Sequence, residues 1–174
     1  ELSHQMLQMR DLSKPQQGLK MNWTVANAGT NRNVIPADAV AFADVRVWSV
    51  ADYDGIEAEV RARAKKQLLP EAKVEVDFVR RRPPLEPTDV AKALAKRAET
   101  IYREIGRELT VSSIAEGGGT DAAFASLKAK GPVIERFGFA GFGAHSNDAE
   151  YIAISSIEPR LYLLARMVME VSAR

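Results

Sequence analysis

The sequence predicts a mixed α/β protein in two parts: an α+β unit over residues 1–83 and a piece of an α/β layer over residues 84–174. Three observations lead there. The first part runs helix, strand, strand, helix, strand, as judged by whether apolar residues recur with a period near 3.6 or of two. A stiff segment, Arg80-Arg81-Arg82-Pro83-Pro84-Leu85-Glu86-Pro87, then separates it from the second part. Beyond that connector helices and strands alternate, the pattern of a sheet covered by helices.

Residues 1–11 read as the tail of an amphipathic helix with Leu2, Met6 and Met9 on one side, broken by Pro15 and Gly18. Leu19, Met21, Trp23 and Val25 alternate with polar residues, as in a strand with one buried face. An Asn- and Gly-rich loop over 27–33, closed by Pro36, leads to a second strand over 39–48. Asp52 is suited to cap a helix running to about Leu69, with Ile56 and Val60 on its apolar side. Pro70 stops that helix, and Val74, Val76 and Phe78 alternate in a third strand. This order is a βαββαβ, ferredoxin-like unit lacking its first strand. The chain opens Glu1-Leu2-Ser3-His4, with no initiator Met and no signal peptide, so it reads as a carboxy-terminal fragment.

After the connector, Val90, Leu94, Ile101 and Ile105 fall at helical spacing over 89–105, and Gly106 ends the run. A strand at about 109–114 enters Gly117-Gly118-Gly119-Thr120-Asp121, followed by a short helix ending near Gly131. A strand from Pro132 to Phe137 leads to Gly141-Phe142-Gly143-Ala144-His145-Ser146-Asn147-Asp148-Ala149-Glu150. Ser155 and Glu158 have capping-box spacing, with Pro159 in the first turn, for a last helix through Val171. Three helices and two strands are half of an α/β layer and too little to close a core of their own. That half should therefore expose apolar surface.

Composition narrows the function classes. With no cysteine, disulfides, zinc–thiolate sites and cysteine nucleophiles are excluded. A net charge of +1 gives no global attraction to nucleic acid or to acidic membranes. No apolar run approaches the roughly 20 residues that span a bilayer. The mix fits a soluble chain of cytoplasm or periplasm and does not choose between them.

Three constellations could carry chemistry. His145 is one of two histidines and lies in a glycine-rich loop after a strand, where α/β sheets gather ligands. One histidine cannot hold a catalytic zinc, which takes at least three protein ligands, so the loop is either part of a larger site or an ordinary polar turn. The triple glycine at a strand-to-helix turn can offer backbone N–H groups to an anion or can simply be a tight turn; no Lys-Ser/Thr comes after it to make a P-loop. Arg80-Arg81-Arg82 offers guanidinium groups for a carboxylate, or a basic edge that blunts strand pairing. Arg46 shares a strand face with Asp44 and can pair with it, and His4 reads as a surface residue.

Together these segments resemble one family. Asn-x-Asn-Val-Ile-Pro (Asn31–Pro36), Ala-Asp-Val-Arg (Ala43–Arg46), Arg-Arg-Pro (Arg81–Pro83), Gly-Gly-Gly-Thr-Asp-Ala-Ala (Gly117–Ala123) and the histidine loop through Tyr151 occur in the order found in the di-zinc exopeptidases. That family includes aminoacylase, succinyl-diaminopimelate desuccinylase and bacterial glutamate carboxypeptidase. The triple glycine and the histidine loop are most similar to the folate-hydrolysing glutamate carboxypeptidases.

The resemblance implies that residues 1–83 are most of a ferredoxin-like lid that also dimerises, and that residues 84–174 are the carboxy-terminal part of a catalytic α/β domain. It implies that His145 is a zinc ligand, that Arg82 holds the substrate's terminal carboxylate and that Asn33 reaches the substrate from the lid. Arg46 matches an arginine retained near the site, and Gly118 and Gly119 bring backbone against the substrate. The implied reaction is hydrolysis of a small peptide or N-acyl amino acid by a water activated on two zinc ions, in a homodimer. The remaining zinc ligands and the general base of the family have no counterpart in these residues, so the fragment alone should be inactive. Glu116 stands where the glutamate carboxypeptidases carry threonine, which implies repulsion of an acidic substrate side chain. A non-catalytic dimerisation or binding module, or a deacylase of the same family, are the alternatives.

Overall fold

In the computed structural model, residues 1–115, 120–144 and 146–172 are described. The mixed α/β class holds. Helix α1 (Leu2–Gln8) runs into a 3-10 turn, and strands β1 (Lys20–Ala28) and β2 (Ala39–Arg46) form an antiparallel hairpin before helix α2 (Asp52–Ala64). Next come helices α3 (Asp89–Arg103) and α4 (Asp121–Ser126), the two-residue strands β3 (Gly141–Phe142) and β4 (Tyr151–Ile152), and helix α5 (Ile157–Ser172). The chain divides into one unit of Glu1–Glu86 with Ile114–Phe124, and a second of Pro87–Ser113 with Ala125–Arg174.

The core of the first unit lies between α1, α2 and one face of the hairpin: Met9, Met21, Val47, Tyr53, Ile56 and Val60 are all buried in it. Sequence alternation puts Val25 on that face, and the structure does not. The register shifts between Trp23 and Val25, so that Trp23 pairs with Ala43 but Val25 pairs with Phe42. One extra residue in one strand reverses which side later residues face. Val25 thus joins Phe42 on the outer face, 44% and 57% exposed.

Helix α2 stops at Ala64, short of the expected Leu69. Its start is a reciprocal exchange: the Ser49 N–H donates to the Asp52 carboxylate, and the Asp52 N–H donates to the Ser49 hydroxyl. Its last carbonyls are taken by side chains of α1. Gln5 Nε2 donates to Ala64 O and Lys66 O, Gln8 Nε2 donates to Arg63 O, and the Glu1 carboxylate accepts from Leu68 and Leu69 N–H. Capping of this kind satisfies orphan carbonyls that another helical turn would otherwise need. It also explains a buried glutamine, 6% exposed, on a helix face expected to be apolar. His4 joins the same end, its Nε2 3.1 Å from Lys66 O.

The expected third strand keeps its period without becoming a strand. Val74, Val76 and Phe78 pack on the core while their neighbours are exposed, yet among the described residues 72–80 form no ladder. Among the described residues neither strand of the β1–β2 hairpin pairs with this segment.

In the second unit α3 and α5 close a small core of Ala98, Ile101, Tyr102, Leu163 and Met167, with Leu109, Ile134 and Phe137 packed against it. Thr88 caps α3, its hydroxyl accepting from Ala91 N–H. Glu104 joins the two helices by accepting from the Tyr162 hydroxyl at 2.7 Å and from Arg166. The segments expected to be strands, 109–114 and 132–137, again lie outside any ladder among the described residues. Entry to α5 also differs from the expected Ser155–Glu158 box. A 3-10 turn, Ile154–Ser156, precedes the helix, and it is the Ser156 hydroxyl that accepts from Ala140 N–H and donates to Ala153 O. The expected apolar exposure is present: Phe142, Ile154, Leu161, Leu164 and Val168 are all more than a third exposed.

Candidate functional site

The arginine run leaves the core beside the start of α2, and its members have different surroundings. Arg80 is held: its guanidinium donates to Asp54 at 2.7 Å and to Glu57 at 2.9 Å, and lies 5.8 Å from the Tyr53 ring centroid. The Arg80 bond, and after it the bond from Arg61, keeps the Glu57 carboxyl below its usual range. This arginine is therefore a strut between the 72–80 segment and α2.

Arg82 is presented differently. Its side chain is 57% exposed, with Nη1 4.0 Å from the Asp121 carboxylate at the start of α4. Its main chain is anchored, because the Tyr53 hydroxyl donates to Arg82 O at 3.0 Å. Four residues on, the Glu86 carboxylate accepts from Val50 N–H at 2.7 Å. The structure thus brings Arg82 next to the helix that comes after the triple glycine. A half-exposed guanidinium on a fixed backbone suits a bidentate hold on a carboxylate.

Asn33 sits in the turn that joins β1 to β2, exposed, and its side chain makes no hydrogen bond among the described residues. The loop is drawn in at its base, where Gly29 has φ of +65° and lies so close to the Pro36 ring that a Cβ would fall 2.7 Å from its Cγ. Arg46 is on the outer face of the hairpin and its Nε bonds Asp44 at 2.7 Å, the pairing anticipated from their shared face. Gly118 and Gly119, together with Glu116, lie outside the described residues.

His145 also lies outside the described residues. The hairpin that carries it is defined on both sides. β3 and β4 pair Gly141 with Ile152 and Phe142 with Tyr151, and the Phe142 and Tyr151 rings stack at 5.2 Å between centroids. Gly143 has φ of +66°, Ser146 N–H donates to Gly143 O at 2.8 Å, and Ala149 N–H donates to the Ser146 hydroxyl at 3.2 Å. Asp148 and Glu150 are exposed in this loop. Among the described residues no three His, Cys, Asp or Glu side chains are grouped so as to hold a metal ion, so these donors do not fit a zinc centre by themselves.

Two residues of this arrangement escaped the sequence reading. Tyr53 and Glu86 matter through single bonds to main-chain atoms far away in sequence, and no period or motif encodes such bonds. The one hint was an aromatic residue with a polar tip, since a buried tyrosine hydroxyl usually finds a partner.

Residues 10–170 match the Peptidase family M20/M25/M40. Over 173 residues the chain is 42% identical to carboxypeptidase G2 of Pseudomonas sp. (strain RS-16), an alignment covering 99% of this chain and 41% of the relative. This chain thus spans well under half the length of the curated relative it matches. With nearly all of its residues inside the family match, and the five segments in family order, the chain belongs to the M20/M25/M40 peptidases.

Proposed function

We propose that these residues are the substrate-carboxylate side of a zinc-dependent, glutamate-carboxypeptidase-like exopeptidase, which hydrolyses the terminal amide bond of a peptide or N-acyl amino acid. The observation that carries the reading is Arg82, a half-exposed guanidinium on an anchored backbone beside the helix after the triple glycine. A cation so held orients the free carboxylate of the substrate, and that restricts cleavage to the chain end. Asn33 supplies a second polar contact from the β1–β2 turn, and Gly118 and Gly119 supply backbone. Arg46, already bonded to Asp44, is a retained neighbour of the site rather than a direct contact.

His145 is proposed as a zinc ligand in the longer protein, where two ions activate the attacking water. We propose further that the remaining zinc donors are supplied by a longer protein, in which the chemical step takes place, and that the 174 residues alone are inactive. Residues 1–83 are proposed as a ferredoxin-like lid through which two copies associate, and residues 84–174 as the end of the catalytic domain. The match to a protein named as a carboxypeptidase supports the exopeptidase class. Glu116 favours substrates whose side chain is not acidic, so N-acyl glutamate and a neutral N-acyl amino acid belong in the same assay.

The test compares free-acid and amidated substrates on the full-length protein. Arg82→Ala is expected to raise KM for the free acid about tenfold or more, the worth of one charge-assisted bidentate contact. An amidated substrate cleaved as fast as the free acid by the unsubstituted enzyme defeats the assignment. So does stoichiometric zinc with turnover in the 174-residue chain, as regards the fragment's inactivity.

A further inference from the structure

Between Arg80 and Glu86 the chain is tied to the start of α2 at three points, and Arg82 lies among them. The Arg80 guanidinium bonds Asp54 and Glu57, the Tyr53 hydroxyl donates to Arg82 O, and the Glu86 carboxylate accepts from Val50 N–H. The receiving end is itself rigid, since Ser49 and Asp52 exchange hydrogen bonds across the same turn.

We propose that Tyr53 and Glu86 are positioning residues for the substrate's carboxylate: they hold the main chain on and beyond Arg82, so that its guanidinium meets the substrate from one fixed base. This rests on the assignment of Arg82 to that carboxylate. An arginine side chain has many rotamers, and every degree of freedom left in its backbone widens the set of places its charge can occupy. The prolines on its carboxyl side, Pro83, Pro84 and Pro87, stiffen the connector but donate no hydrogen bond that could hold it to the core. Tyr53 and Glu86 supply that hold.

The Tyr53 hydroxyl is separable from the ring that carries it. Tyr53 is buried, 7% exposed, and its ring meets Phe78 edge-on at 6.3 Å. Burial pushes the Tyr53 hydroxyl above its usual pKa, so it remains a donor throughout the working pH range. Tyr53→Phe therefore removes one hydrogen bond and keeps the packing. Glu86→Gln keeps an oxygen able to accept from Val50 N–H, whereas Glu86→Ala does not.

The experiment uses the full-length protein with a free-acid N-acyl amino acid and its amide. Tyr53→Phe and Glu86→Ala are each expected to raise KM for the free acid about fivefold, the loss of one hydrogen bond, with kcat unchanged to within about twofold. The amide should be handled as by the unsubstituted protein, Glu86→Gln should restore KM, and Tyr53→Phe in an Arg82→Ala background should add nothing. If Arg82→Ala raises KM but Tyr53→Phe and Glu86→Ala do not, the positioning inference is overturned and the carboxylate reading stands. If Arg82→Ala itself leaves KM unchanged, both fall. Equal losses on acid and amide, or an additive double variant, also overturn it, because they mark a purely structural role.

Discussion

Replacing Gly143 by alanine should disable the histidine loop while leaving the rest of the fold in place. The geometry imposes two costs. Gly143 has φ of +66°, a left-handed conformation that costs an alanine roughly 1–2 kcal/mol. The added Cβ would also stand 2.1 Å from Ala149 O and 2.7 Å from its carbonyl carbon, where ordinary contact begins near 3.4 Å. Both are backbone atoms, so no side chain can swing aside, and the hairpin must open by about 1 Å before the overlap is relieved. That movement falls between the Gly143–Ser146 and Ser146–Ala149 hydrogen bonds, the stretch that contains residue 145. Misplacing a site group by about 1 Å costs on the order of a hundredfold in rate. On the role proposed for His145, Gly143→Ala in the full-length protein is expected to lower kcat/KM about a hundredfold, with zinc content reduced and the circular dichroism spectrum retained. Gly138→Ala is the control, since a Cβ there meets nothing within 4 Å. Activity within about threefold of the unsubstituted protein for Gly143→Ala would show that the tight turn does not hold the functional loop.

Two predictions concern the second unit. Leu163 is fully buried between α3 and α5, so Leu163→Ala should cost about 3 kcal/mol in denaturant unfolding, and a loss below about 1 kcal/mol would mean the pocket collapses around the smaller residue. Glu104 is held below its ordinary value of 4.5 first by Arg166 and then by the Tyr162 hydroxyl, so the folded-state pKa is depressed. Its contribution is accordingly complete above the unfolded value and is lost as the pH falls below 4.5 through the folded value. Glu104→Gln should therefore flatten the acid limb of a melting-temperature profile, and an unchanged limb would mean other carboxylates set it.

The helices were legible because their signals are local. In α3, Leu94 and Ile101 sit at helical spacing and Gly106 ends the run, and the structure has a helix there. The strands were half legible. Period two marks which side chains of 74–78 turn inward, and these do, but a ladder depends on a second strand that local sequence does not contain. The side reversal at Val25 was not legible for the same reason: a bulge is a property of two strands' register. Gln5 and Tyr53 break the rule that buried positions are apolar, and their partners lie 59 and 29 residues away. The family was legible in the order of the motifs, and the Arg46–Asp44 pair in the strand period. What held Arg82 in place was not, because it consists of bonds to main-chain atoms that any residue could present.

Helix α5 carries more apolar surface than the second unit covers. Leu163 and Met167 are buried against α3, while Leu161, Leu164, Val168 and Val171 form an exposed stripe at i, i+3, i+7 and i+10. At about 100° per residue the two sets adjoin, so the apolar arc runs on beyond the stripe buried against α3. Covering that further stripe with a second packed layer would remove exposed apolar surface from water. Among the described residues the segments 109–113 and 132–137 likewise join no ladder, and Arg136, with φ of +63°, interrupts the second. One further layer of sheet would satisfy both demands at once, pairing those segments and burying the stripe. The matched relative is more than twice the length of this chain. On the proposed reading, the uncovered apolar area of α5 and the zinc donors still to be supplied point to the same additional residues.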